Sequence, residues 1–115
     1  MKIYGIKNCD TVKKALNWLD SHGIKYEFHD FKKSGVEETK LREWADKLGW
    51  ETLLNKRGTT WKKLDPEVQS SVTNPETAFK LMQEKTSIIK RPVVEDGDLL
   101  FSGFDRKTYE EKLLK

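Results

Sequence analysis

The 115-residue sequence predicts an α/β fold: a four-stranded mixed sheet, βαβ then ββα, with a helical insertion between the two halves. Three observations predict it. A β-prone run at Lys2 to Ile6 is followed by apolar residues at helical spacing and then by a second β-prone run at Tyr26 to Phe31. From Trp50 to about Lys90 the pattern is helical in short pieces. Near the end, Val93-Val94 and Leu99-Leu100-Phe101 flank an Asp-Gly-Asp turn and lead into a last helical stretch.

The elements follow in order. Lys-Ile-Tyr-Gly-Ile makes the first strand, and Asn8 to Asp10 supply turn and cap chemistry. Val12, Ala15, Leu16 and Leu19 define one apolar helix face, closed by Gly23. The strand at Tyr26 to Phe31 completes a right-handed βαβ unit with parallel strands. A second helix is expected from Ser34-Gly35 onward, conventionally capped, with Leu41, Trp44, Ala45 and Leu48 on one face and Gly49 as its stop. Asn55-Lys56-Arg57-Gly58, Asp65-Pro66 and Asn74-Pro75 then punctuate several small helices. The hairpin turns at Asp96-Gly97-Asp98 and ends at Gly103. Asp105 caps a final helix through Leu114, with Tyr109, Leu113 and Lys112 expected to face inward. There is no internal repeat or low-complexity linker, and residues 1–115 read as a single domain.

Composition excludes several function classes. No apolar stretch approaches the ~18 residues needed to span a bilayer, and the start of the chain runs into a strand rather than a signal segment, so a cytoplasmic protein without membrane association is expected. The net charge of +3 comes from 22 basic and 19 acidic residues that are interspersed. The pairs Lys13-Lys14, Lys32-Lys33 and Lys62-Lys63 do not extend to a stripe, so direct nucleic-acid binding is not expected. With one cysteine the chain makes neither an internal disulfide nor a cysteine-based zinc site.

That cysteine is placed for chemistry. Cys9 falls at or just before the first turn of the first helix, where unpaired N–H groups and the positive end of the dipole favour a thiolate. Its pKa is expected below the ordinary value of about 8.5, with Lys7, Lys13 and Lys14 helping and Asp10 opposing. The competing reading is a small cysteine packed behind the helix. The Thr11 hydroxyl is placed to donate towards the Cys9 sulfur. Arg57, Arg91 and Arg106 stand in loop or strand-edge positions, where a planar guanidinium binds an oxyanion or carboxylate through paired hydrogen bonds.

Four separated motifs carry a resemblance: Tyr-Gly-Ile-Lys-Asn-Cys-Asp-Thr at 4–11, Lys56-Arg57-Gly58-Thr59-Thr60, Ile-Ile-Lys-Arg-Pro-Val-Val at 88–94, and Gly103-Phe104-Asp105. Together they resemble the glutaredoxin-linked arsenate reductase family, most closely its Spx/YffB branch, over essentially the whole chain. The resemblance implies a thioredoxin-like fold with a helical insertion, a cis Pro92, Cys9 as nucleophile, and Arg57 and Arg91 as oxyanion- or glutathione-binding residues. Arg106 is the nearest match to a third family arginine, although its local motif differs.

Two departures refine the expectation. Asp10-Thr11-Val12-Lys13 replaces the small-residue, arginine-bearing loop of the arsenate reductases. Repulsion between the Asp10 carboxylate and an arsenate dianion costs about 1 kcal/mol in water and more when desolvated. Val12 stands where redox-sensing Spx proteins carry a second cysteine. The function expected is therefore a glutathione-dependent monothiol reductase with no bound cofactor. Its partners would be glutathione, or a small thiol or oxyanion substrate, and a glutaredoxin. The alternative is a non-enzymatic, Spx-like regulator or binding module that partners RNA polymerase.

Overall fold

The computed structural model describes residues 1–114. Among these the chain forms β1 (Lys2–Gly5), α1 (Asp10–Ser21), β2 (Glu27–Asp30), α2 (Phe31–Ser34), α3 (Glu38–Leu48), α4 (Trp50–Leu53), α5 (Thr59–Lys62), α6 (Pro66–Ser71), α7 (Pro75–Glu84), a 3₁₀ turn (Thr86–Ile88), β3 (Val93–Asp96), β4 (Leu99–Ser102) and α8 (Arg106–Leu113). The elements fall into two compact units, one made of Met1–Asp30 and the chain from Arg91 onward, the other of Phe31–Lys90.

The first unit holds the sheet, in the order β2-β1-β3-β4, with β1 and β2 parallel and the other two pairs antiparallel. The expected βαβ and ββα halves are both present. Register places Phe28, Ile3, Val94 and Phe101 in one row across the strands. With two-residue alternation that row presents a single apolar face, which packs with Ala15, Trp18 and Leu19 of α1 and Tyr109 of α8. The Tyr109 ring stands edge-on to Trp18, Phe101 and Phe104, at centroid distances of 5.5, 5.2 and 4.8 Å. Its hydroxyl donates to the Gly103 carbonyl at 2.7 Å, satisfying the one polar atom that the ring carries into the core. Burial pushes the pKa of that hydroxyl up.

α8 begins as expected, with the Asp105 carboxylate accepting from the Thr108 N–H at 3.1 Å. Lys112 departs from expectation. It is exposed, its ammonium 5.8 Å from the centre of the Phe101 ring, so the charged end lies against that ring at the surface rather than within the core.

The second unit is the helical insertion. The Ser34-Gly35 pair is a helix stop rather than the expected start. Gly35 takes φ +65° and its N–H closes the turn on the Phe31 carbonyl at 2.8 Å, so α2 ends there and α3 begins only at Glu38. Nor is the capping of α3 conventional, since its N-cap Glu37 makes no side-chain cap bond. Leu41 and Trp44 of α3 and Ala78, Phe79 and Met82 of α7 are fully or almost fully buried. α7 has a complete capping box, in which Asn74 accepts from the Thr77 N–H at 2.9 Å and Pro75 occupies the first turn. At the end of the unit, Asn55 N–H donates to the Ile88 carbonyl and Lys90 N–H to the Leu53 carbonyl, each at 2.7 Å. These two bonds fix the segment that leads into Arg91. No helix among the described residues is long and apolar enough to cross a membrane.

Candidate functional site

β1 ends at Gly5, and Ile6 is buried behind it, so the turn at Lys7-Asn8 delivers the chain to α1 within four residues. Cys9 is the N-cap residue itself, in extended conformation at φ −120° and ψ 124°. Its carbonyl accepts the first bond of the helix, from Lys13 N–H at 2.9 Å. Its side chain is half-buried.

The sulfur makes no side-chain capping hydrogen bond of ordinary geometry. The N–H groups of Val12 and Thr11 nevertheless turn towards it, and the Arg91 guanidinium reaches it as both donor and positive charge. Burial of the thiol works in the opposite direction. The balance leaves the Cys9 pKa below its ordinary value: desolvation raises it, and Val12 N–H, the charge and donor of Arg91, and Thr11 N–H outweigh that.

Two expectations about this environment need correction. Thr11 acts through its backbone N–H and not its hydroxyl. Lys7, Lys13, Lys14 and Asp10 have no resolved influence on the thiol, because their exposed side chains extend into water, where their charges are screened. The sequence pointed to the unpaired N–H groups of the first turn without naming Val12, whose peptide N–H makes the leading favourable contribution. The signal that could have found it is position alone, since the second and third N–H groups of any helix point back at its N-cap.

Arg91 precedes Pro92 across a cis peptide bond, as the resemblance implied. Pro92 is buried, and its carbonyl accepts from Gly103 N–H at 2.8 Å, tying this turn to the end of the hairpin. Cys9, Thr11 and Arg91 thus meet within the first unit, with Pro92 next to Arg91 in the chain. Arg106 lies in the same unit, exposed at the first position of α8, and takes no part in the contacts to the sulfur. Arg57 belongs to the second unit. Its N–H donates to Asn55 Oδ1 at 3.1 Å, and it lines an open groove of about 390 Å³ with Asn55, Lys56 and Lys90. No group of three or more metal-ligating side chains occurs among the described residues.

A single half-buried thiol at the start of the helix that follows β1, reached by an arginine that precedes a cis proline at the entry to β3, defines a thioredoxin-like fold with a monothiol site. The chain belongs to the ArsC family, whose model matches residues 4–112. The solved structure of the YffB protein is 44% identical and superposes with a TM-score of 0.91 over 97% of both chains. An arsenate reductase (ArsC) related protein from Brucella melitensis is 47% identical, with a TM-score of 0.76 over 96% of this chain and 92% of that one. Among sequence relatives, the regulatory protein MgsR of Bacillus subtilis is 26% identical over 107 residues, covering 91% of this chain and 83% of its own.

Proposed function

We propose that this protein is a glutathione-dependent monothiol reductase with Cys9 as its nucleophile. The observation that carries the reading is a half-buried thiol of lowered pKa in a chain with no second cysteine to resolve it. The Cys9 thiolate attacks one sulfur of a mixed disulfide, forming a Cys9–glutathione disulfide and expelling the other sulfur as a thiolate that takes a proton from solvent. A second glutathione thiolate then attacks the glutathione sulfur of that adduct, which releases Cys9 as thiolate and gives oxidised glutathione. Arg91, whose guanidinium reaches the sulfur as donor and positive charge, supports the anionic sulfur at both stages.

Incubation with glutathione and bis(2-hydroxyethyl) disulfide, following oxidised glutathione, tests the proposal. Wild type turns over and Cys9→Ser does not. An inactive wild type, or a fully active Cys9→Ser, refutes the reading.

The likeness to the regulatory protein MgsR supports a second reading, a non-enzymatic regulator, for which RNA polymerase is the partner expected from the Spx resemblance. A pull-down at physiological salt that captures no polymerase subunit removes it.

A further inference from the structure

The Cys9 cradle depends on where the first turn of α1 is seated, and one contact beneath that turn is unusually close. A β-carbon built on Gly5 would lie 2.9 Å from Val12 Cγ2, 3.5 Å from Val12 Cγ1 and 3.7 Å from Phe28 Cε1. Optimal carbon–carbon contact is about 3.5–4.0 Å, so the first of these distances is a clash. Gly5 does not have a positive φ, so its backbone conformation is open to other residues and the missing β-carbon is the whole of its difference from alanine.

Neither side can absorb that atom easily. Gly5 is the last residue of β1, held in register opposite Asp30 of β2. Val12 is fully buried, and a β-branched side chain on a helix has essentially one χ1 rotamer. The remaining freedom is a shift of the first turn of α1 away from the strand. Val12 is also the residue whose N–H faces the Cys9 sulfur. Side-chain seating and thiolate contact are therefore properties of one residue, anchored on one glycine.

We propose that Gly5 is a positioning residue for Cys9: lacking a β-carbon, it lets Val12 seat against the end of β1 and so sets the N–H groups of the first helical turn beneath the sulfur. The inference deepens the reading of Cys9 as nucleophile and rests on it.

The test is the pH dependence of iodoacetamide alkylation of Cys9 in folded protein, with circular dichroism and a thermal midpoint as fold controls. Gly5→Ala should raise the apparent pKa by about half a unit, slowing labelling at pH 7 about threefold. The double variant Gly5→Ala with Val12→Ala, which removes the clashing Cγ2 methyl together with Cγ1, should return the profile to that of wild type. Should Gly5→Ala fail to fold, Val12→Ile crowds the same contact from the helix side and carries the same expected rise. A folded Gly5→Ala with the wild-type profile overturns the proposal, as does a double variant that keeps the raised pKa or, where Val12→Ile is needed, a Val12→Ile profile identical to wild type. Alkylation reads the thiolate without turnover. An inactive wild type that still shows the shift therefore defeats the reductase reading alone, while an active wild type without the shift defeats the positioning role alone.

Discussion

Replacing Arg91 by methionine keeps an unbranched stem of similar bulk and removes the guanidinium that reaches the Cys9 sulfur. The magnitude follows from Coulomb's law. A unit charge at about 4 Å from the thiolate is worth about 1 kcal/mol in water and about 4 kcal/mol at an effective permittivity near 20. Cys9 is only half-buried, so solvent screening puts the effect near the lower figure. With one pKa unit equal to about 1.4 kcal/mol, the thiol should rise by about 0.7 unit, and the thiolate fraction at neutral pH should fall about fivefold. The rate of iodoacetamide labelling as a function of pH measures this directly. Arg91→Lys, which keeps the charge but loses the planar fork, should fall between the two. Raising ionic strength from 0.1 to 1 M, where the screening length drops from about 10 to about 3 Å, should shrink the difference between wild type and Arg91→Met. Equal apparent pKa values for wild type and folded Arg91→Met would refute the reasoning. The lowered pKa would then belong to the helix N–H groups alone.

Three further outcomes follow from the same structure. Because the folded Cys9 pKa is depressed, the unfolded chain binds more protons between the folded pKa and about 8.5, so wild type should gain stability over Cys9→Ser as pH rises through that window and lose the gain as pH falls through the folded pKa; urea unfolding from pH 5 to 9 reads the sign, and a flat difference counts against it. Tyr109→Phe leaves the Gly103 carbonyl without its 2.7 Å donor inside the core and should cost about 1–3 kcal/mol by urea unfolding. Asn74→Ala breaks the capping box of α7 and should cost about 1 kcal/mol in the same assay, with the Cys9 labelling profile unchanged.

The sheet was legible because its signals are carried by side chains. Alternation in the strands, the helical spacing of Val12, Ala15 and Leu19, and the glycine of the two-residue turn at Gly97-Asp98 each point to one local structure, and the parallel and antiparallel pairings followed from connection length. Ser34-Gly35 misled because the same two residues suit the entry and the exit of a helix. What decides between them is the closure of Gly35 N–H on the Phe31 carbonyl, a bond to a residue that the strand-like run Tyr26 to Phe31 had already claimed. Lys112 misled for a related reason. Its position on α8 lies beside Phe101, but a charged end is stable there only on the exposed side, over the ring and not within the core.

At the site the sequence showed which residues matter better than it showed how they act. Cys9 and Arg91 were readable from position and chemistry, and the structure places them together. The lowering of the thiol was expected from the unpaired N–H groups and dipole of the helix start, with the neighbouring lysines helping. Those side chains are long, exposed and solvated, so their fields are weak at the sulfur. The N–H groups of Thr11 and Val12 are smaller dipoles, but helix geometry fixes them in place, so they are oriented before any charge forms on the sulfur. A backbone N–H has no letter of its own in a sequence, and neither does the space left by the missing β-carbon of Gly5. The cradle is thus built from what the side-chain pattern omits, and a search for such thiols should weigh the register of the first helical turn and the glycine beneath it before counting nearby basic residues.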